Sequence, residues 1–326
     1  MSAPFAALTV GTLAIVLVLA QVLYPGTPLY HTWQYAAALA LALAVSIAYA
    51  NGARRAADPS AGTPLLIAIA GAAIVAVAGL ASGLLGPDTA SVIGTPETVT
   101  PIPALGAAAF FGAADASALA QGTAGVTLRK REGPAIVLGP GTRRAAGESL
   151  LYLEPRPAAF VEAFDERGAH LTITQPTNAS FLSPVLMFRQ QQRVGAFDLP
   201  FDTFAVPARH RVLRALYFTP RQLATFAHPN AMADTSHPAV VLTASDESGR
   251  PLGITLASSG QTVTIGGVRV RVTIGTYPAL AIASAPPVWA LALGIGLFIA
   301  GTLWSIARAR RGSVRIAAQP PEPQRV

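Results

Sequence analysis

Histidine is the residue type that could do most chemistry in this chain, because the 326 residues include no cysteine. The five histidines are His31, His170, His210, His228 and His237. None of them lies in an HExxH motif or at another metal-ligand spacing. Serine occurs in no GxSxG elbow, and a thiol nucleophile or thiolate ligand is excluded by composition. The sequence therefore favours a protein that is not an enzyme.

His31 is the one histidine that we select as a candidate site residue. It lies in a short stretch between two apolar segments, among Tyr24, Tyr30 and Trp33. Aromatic rings of this kind concentrate at membrane–water interfaces. An imidazole held there could ligate haem iron or contact a lipid headgroup. The simpler alternative is a proline-rich turn with one polar aromatic side chain, and we expect the other four histidines in solvated positions.

The elements that would position His31 are membrane-spanning helices. Hydrophobic residues make up 52% of the chain and charged residues only 12%. Uncharged runs long enough to cross about 30 Å of hydrocarbon predict four spans, at 5–24, 34–50, 64–85 and 287–307. A cleaved signal peptide is the alternative for the first run, but no basic residue precedes it.

The position of the charges predicts the orientation of the spans. The net charge is +7, yet residues 87–286 hold sixteen basic and fourteen acidic residues. The excess lies beside the helices, at Arg54 and Arg55 and in the tail 308–326. Basic residues next to spans favour the cytoplasmic side, so both ends are expected in the cytoplasm of a plasma-membrane protein, with no role in nucleic-acid binding.

Residues 87–286 predict an extracytoplasmic, all-β, sandwich-like domain. It lies between the third and fourth spans, that is, between the three-helix region 1–86 and the final helix 287–307. The lead-in 87–125 has little periodicity, so we expect it to be irregular, with a short helix near 104–111. From Val126 onward, β-branched runs separated by turn residues predict hairpins at 160–174, 240–256 and 261–274. Thr219 followed by Pro220 predicts a short helix to about residue 227.

The chain resembles the ResB family of cytochrome c biogenesis proteins. The resemblance rests on its layout and on three stretches: TyrHisThrTrpGlnTyr at 30–35, GlyLeuAlaSerGlyLeuLeuGly at 79–86, and the closing run 262–287 with its ThrValThrIleGlyGlyValArgValArgVal strands and AlaProPro lead into the last helix. It implies a CcsA-like membrane partner, haem as the transported ligand, and delivery to apocytochrome c outside the membrane.

The third and fourth spans contain no histidine. As a divergent ResB-like member, the chain would then be a non-catalytic subunit whose partner supplies the iron ligands, with His31 as its own possible haem-proximal ligand. The alternative is a membrane-anchored β-domain scaffold, or a ligand-binding or sensory protein of the cell envelope, unrelated to haem.

Overall fold

The structure is a computed structural model that describes residues 3–25, 27–54, 59–86, 89–130, 133–146, 149–175, 180–181, 184–226 and 235–317. The chain divides into two compact units. The helical unit comprises residues 1–91, 143–151 and 281–326, and the β unit comprises residues 92–142 and 152–280.

The described residues form six α-helices, four of which have the length and composition of membrane spans. The helices are α1 (Ala3–Leu23), α2 (Trp33–Arg54), α3 (Pro59–Leu85), α4 (Ala116–Gln121), α5 (Pro220–Phe226) and α6 (Val288–Ala317). The apolar stretches of α1, α2, α3 and α6 are 20, 20, 23 and 21 residues long, enough for a hydrocarbon core of about 30 Å. The prediction of four such helices is confirmed.

The third helix begins earlier than its apolar run. The uncharged stretch predicts a start at Pro64, but the helix begins at Pro59, so that Pro64 lies inside it. Proline is tolerated near the start of a helix. Pro64 is the sixth residue of the helix, so its missing N–H removes only the hydrogen bond to the Ser60 carbonyl in the first turn, and the helix continues.

Small residues bring the backbones of α3 and α6 together. A Cβ added at Gly71 would clash with the carbonyl oxygen of Gly294 and lie 2.5 Å from the backbone nitrogen of Phe298. A Cβ at Gly301 would lie 2.6 Å from the carbonyl oxygen of Pro64. Such close backbone approach is how helices associate in lipid, where the hydrophobic effect between helices is absent.

The β unit is built from antiparallel hairpins. The strands are β1 (Ala90–Val92), β2 (Val99–Ile102), β3 (Ala107–Phe111), β4 (Val126–Lys130), β5 (Ile136–Leu138), β6 (Arg143–Ala146), β7 (Ser149–Phe164), β8 (His170–Leu171), β9 (Ile173–Thr174), β10 (Ser180–Phe181), β11 (Val185–Leu186), β12 (Gln190–Val194), β13 (Phe197–Val206), β14 (Arg211–Phe218), β15 (Ala239–Asp246), β16 (Pro251–Ser258), β17 (Thr262–Ile265) and β18 (Val268–Ser284).

The strands form three sheets. The first has the order β1-β18-β7-β11, with β17, β6 and β8 attached to it, and the second has the order β10-β9-β13-β14-β15-β16, with β12 on β13. The third is the four-stranded meander β2-β3-β4-β5. The prediction of a β-rich region with antiparallel sheets is confirmed.

One hydrophobic core joins the first two sheets. Val161 of β7 and Val270 of β18 belong to the same buried cluster as Phe204 of β13, Leu213 of β14 and Leu242 of β15. Alternate residues of these strands point into this core, as the period of two requires. The other side of β13 and β14 carries a second cluster with Leu223 of α5.

Two of the predicted hairpins share one turn chemistry. The Asp165 carboxylate accepts from the backbone N–H groups of Arg167 and Ala169 at 2.9 and 2.8 Å. Asp246 accepts in the same way from Ser248 and Arg250, at 3.0 and 2.9 Å. These hydrogen bonds lower the pKa of both carboxyl groups, chiefly through the N–H of Ala169 and the hydroxyl of Ser248 respectively.

The prediction that the lead-in 87–125 is irregular is wrong. It contains β1, β2, β3 and α4, and the helix expected near 104–111 is instead a 3₁₀ turn at Pro103–Leu105 followed by β3. Ala109 and Phe111 of β3 are buried and pair with Leu128 and Val126 of β4. The alanine-rich sequence has weak intrinsic β preference, so pairing with β4 decides the conformation.

Candidate functional site

The connection between α1 and α2 forms a compact turn around His31. Residues Pro28–His31 make one 3₁₀ turn, preceded by Thr27 in an extended conformation. Proline at the start of a turn has a φ angle already suited to it. The turn at 27–31 therefore places Tyr30 and His31 against the neighbouring helices.

Tyr30 anchors this turn to α1. Its hydroxyl donates at 2.8 Å to the carbonyl oxygen of Ala20 in the last turn of α1, an oxygen that also accepts from the Tyr24 N–H at 2.8 Å. The ring packs edge-on against Tyr35 of α2 with 5.4 Å between centroids. Burial raises the pKa of the Tyr30 hydroxyl, so the group stays protonated and can donate.

A buried polar cluster links α1, α2 and α3 just below the turn. The amide nitrogen of Gln21 donates to the hydroxyl of Ser82 at 3.1 Å, and the hydroxyl of Tyr35 donates to the amide oxygen of Gln21 at 3.0 Å. Gln21 is 2% exposed. Gly79 leaves the room for this contact, since a Cβ there would clash with Val18 and lie 3.3 Å from the Tyr35 hydroxyl. Each helix thus contributes one polar group to the cluster.

His31 binds the end of the third helix. Its Nδ1 donates to the carbonyl oxygen of Gly83 at 2.9 Å, and the carbonyl fixes Nδ1 as the protonated nitrogen. In the neutral ring the lone pair then resides on Nε2. Metal-ligating histidines commonly have one nitrogen held by a backbone carbonyl in this way. The prediction that His31 is a haem-proximal ligand stays a prediction.

Arg143 attaches β6 to the end of α1. Its guanidinium donates to the carbonyl oxygens of Leu23 at 2.6 Å and of Val22 at 3.3 Å. A positive charge beside the last carbonyls of a helix also interacts favourably with the helix dipole. The site therefore combines one imidazole, one guanidinium and a buried amide–hydroxyl cluster at one end of α1.

The contacts of these groups are hydrogen bonds that join the helices and β6 to one another. In the described residues no group of three or more His, Cys, Asp or Glu side chains is close enough to hold a metal ion. One imidazole can still serve as an axial ligand to haem iron when other groups hold the rest of the cofactor. Such a use of His31 requires a second surface, as in a complex with a partner.

The remaining described histidines lie in the β unit. His170 packs against the Phe164 ring with 4.6 Å between centroids, and His210 Nδ1 lies 2.7 Å from a Glu247 carboxylate oxygen. His170, His210 and His237 are exposed. His228 lies outside the described residues.

A small apolar cavity lies among the described residues of the β unit. Its volume is about 130 Å³, and its lining includes Ala124, Pro140, Leu153 and Pro278. Sites for drug-sized ligands usually occupy about 300 to 1,000 Å³, so this cavity is too small to enclose a haem.

Sequence reasoning did not identify the other polar groups of the site. Gln21 carried a usable signal, because an amide inside an otherwise apolar span is expected to bond across helices. Arg143 carried none, since it lies 120 residues from the carbonyl it binds.

No family model, no curated protein and no solved structure matches this chain significantly.

Proposed function

We propose that this chain is a non-catalytic, ResB-like subunit of a membrane cytochrome c maturation complex. It supports haem delivery to apocytochrome c together with a CcsA-like partner. The observation that carries the proposal is the contact of His31 Nδ1 with the Gly83 carbonyl, which presents an oriented imidazole where aromatic residues favour a membrane surface. Haem would be the cargo of the complex, not a cofactor held by this chain alone.

The proposed topology places both termini in the cytoplasm of a cell-membrane protein, with the sandwich-like β unit outside as an insertion between α3 and α6. The support is the position of Arg54, Arg55 and the ArgAlaArgArg run at 308–311 next to spans. Because the chain has no cysteine, single Ser248→Cys and Ser313→Cys variants can be labelled in intact cells with an impermeant maleimide. Labelling at 248 alone supports the topology, and labelling at 313 alone contradicts it.

The function is tested by co-expressing the full chain with its host's CcsA-like protein and a CysXXCysHis apocytochrome. Copurification with the partner, and loss of covalent haem attachment when this chain is deleted, are the expected results. Normal attachment without the chain, together with no copurification, would refute the proposal.

The role of His31 needs two variants. His31→Asn keeps an N–H donor for the Gly83 carbonyl but removes the imidazole, whereas His31→Ala removes both. If the imidazole takes part in haem handling, both variants lose haem attachment while His31→Asn keeps its thermal stability. His237→Ala is the control, because His237 is exposed in the β unit. Full haem attachment in the His31→Asn variant would show that His31 has a structural role and that its imidazole takes no part in haem handling.

The second candidate function is an envelope scaffold or ligand-binding protein unrelated to haem. Its support is the absence of histidine from the sequences of both α3 and α6, two helices whose backbones approach closely at Gly71 and Gly301. Haem-free purified protein and normal cytochromes in a deletion strain would favour this candidate.

A further inference from the structure

The meander β2-β3-β4-β5 has one buried side and one exposed apolar side. Its buried side carries Ile102, Ala109, Phe111, Val126, Leu128 and Leu138. On the other side, the register places Val99 opposite Phe110, Phe110 opposite Thr127, and Thr127 opposite Val137. Side chains directly opposite on neighbouring strands share one face. The four residues therefore form a continuous cross-strand row, which we call the meander face.

Large apolar side chains in this row are open to solvent. Val99 is 64% exposed, Phe110 44% and Val137 65%. Strands with one buried face usually carry polar residues on the other, so three apolar residues exposed in one row form a candidate contact surface. Scattered single apolar residues would carry no such implication.

The charge beside the meander face selects the kind of occupant. The next row pairs Pro101 with Ala108 and Ala108 with Arg129, and Arg129 is exposed. Neither row contains an acidic residue. An apolar strip bordered by a basic side chain, which Lys130 follows in the chain, has the chemistry of surfaces that rest on anionic lipid headgroups.

The size of the face also favours a bilayer over another protein. Three side chains of this size and exposure offer on the order of 300 Å², whereas each partner in a standard protein interface buries about 800 Å². A contact this small is too weak to recruit a partner from solution. It can still act within a chain that is already anchored, because tethering converts the contact into an intramolecular one.

The covalent connection supplies that tether. Only residues 86–98 separate the end of α3 at Leu85 from the start of β2 at Val99. Thirteen residues span at most about 45 Å when fully extended. We propose that the meander face docks on the surface of the bilayer that the four helices cross, with Phe110 and Val137 entering the interfacial region and Arg129 beside the headgroup phosphates.

The absence of native cysteine allows a direct test in the full chain. Phe110→Cys and Val137→Cys each place a nitroxide label on the meander face. Ile254→Cys on β16 is the matched control, since Ile254 is 71% exposed on a different sheet. Accessibility to oxygen, which partitions into lipid, and to a neutral nickel chelate, which stays in water, is measured with one protein per nanodisc of phosphatidylcholine and phosphatidylglycerol.

The expected result is an oxygen-to-nickel accessibility ratio several-fold higher at 110 and 137 than at 254. Equal ratios at all three positions would overturn the proposal. Labels shielded from both reagents, or spin–spin broadening between copies in proteoliposomes, would overturn it in favour of a protein partner or a second copy.

Replacing phosphatidylglycerol with phosphatidylcholine should lower the ratio at 110 about twofold, and Arg129→Gln should remove this dependence. If the accessibility ratio at 110 does not change when phosphatidylglycerol is replaced, the contact of Arg129 with the headgroup phosphates is excluded. The proposal is independent of haem handling.

Discussion

Two sets of glycines in this protein are needed for opposite reasons. In the helical unit, Gly71, Gly294 and Gly301 have ordinary helical backbones and are packed against backbone atoms of the facing helix. In the β unit, Gly168 and Gly249 both have a φ of +85°, and a Cβ added at either would meet no atom within 4 Å. Glycine is needed in the first group because a side chain would not fit, and in the second because the backbone has a positive φ.

This difference follows from what holds each unit together. Helices in lipid gain from close backbone contact, because their apolar surfaces are equally well solvated by lipid tails. The β unit gains from burying alternate side chains between sheets, and its hairpin turns use Gly168 and Gly249 for their backbone conformation. Replacement by alanine should therefore destabilise the protein for different reasons at Gly71 and at Gly249.

The largest effect is expected for Gly71→Ala. The new methyl group would overlap the Gly294 carbonyl and the Phe298 backbone, and backbone atoms cannot rotate away as a side chain can. Overpacking of this kind costs about 2 to 3 kcal/mol of unfolding free energy. The measurement is unfolding of the detergent-solubilised protein followed by circular dichroism.

Gly296→Ala is the matched control for that substitution. Gly296 lies in the same helix, α6, as the Gly294 contact, with no atom within 4 Å of an added Cβ. Its replacement should stabilise the helix slightly. Equal destabilisation by both substitutions would show that backbone contact between α3 and α6 is not the cause.

A smaller loss is expected for Gly249→Ala in the β15–β16 turn. Space is available there, but an L-residue at φ of +85° costs about 1 to 2 kcal/mol. Gly139→Ala is the control, because Gly139 also has open space and lacks a left-handed backbone. Circular dichroism in the β-sheet region should report a lower melting temperature for the first variant alone. Gly249→Asn should recover part of the loss, since asparagine tolerates this conformation.

Gln21→Leu should cost about 1 kcal/mol, typical of hydrogen bonds between membrane helices. The substitution removes the bonds to Ser82 and Tyr35 while keeping an apolar side chain of similar size. Ser46→Ala is the control, because the buried Ser46 hydroxyl donates to Ala42 within its own helix. Unfolding midpoints should fall for Gln21→Leu and stay nearly unchanged for Ser46→Ala. The reverse order would contradict a role of the cluster in helix association.

The smallest effect concerns pH and the two aspartate turns. The pKa values of Asp165 and Asp246 are lowered in the folded state, so these groups stabilise the fold above the ordinary value of 3.8. That stabilisation is lost as the pH falls through the folded-state pKa. The double variant Asp165→Asn/Asp246→Asn keeps both acceptor oxygens and removes the charges.

The melting temperature of the double variant should therefore fall less between about pH 6 and pH 3 than that of the parent. Glu166→Gln, which removes one acidic charge from the same β7–β8 turn, should keep the parental acid dependence. A parental pH profile in the double variant would show that hydrogen bonding to the charged carboxylates does not contribute.

Some elements of the β unit could be predicted from the sequence, because the residues that specify them are close together in the chain. The β17–β18 hairpin has its turn at GlyGly 266–267, and Val263 pairs with Val270. For α5, Thr219 and Gln222 exchange capping hydrogen bonds, with Oε1 of Gln222 accepting from the Thr219 N–H at 2.9 Å. Turn and capping residues act within a few positions of themselves, so a linear pattern is enough to find them.

The sequence alone determined the four apolar helices, the hairpin turns and the choice of His31, because hydropathy, turn chemistry and residue type are local properties. Only the tertiary structure decided that β3 is a strand, that His31 binds the carbonyl of Gly83, and that Arg143 binds the end of α1. These outcomes depend on partners 52 and 120 residues away, or on the strand paired alongside. No local preference encodes such a partner, so it becomes defined only when distant segments pack together.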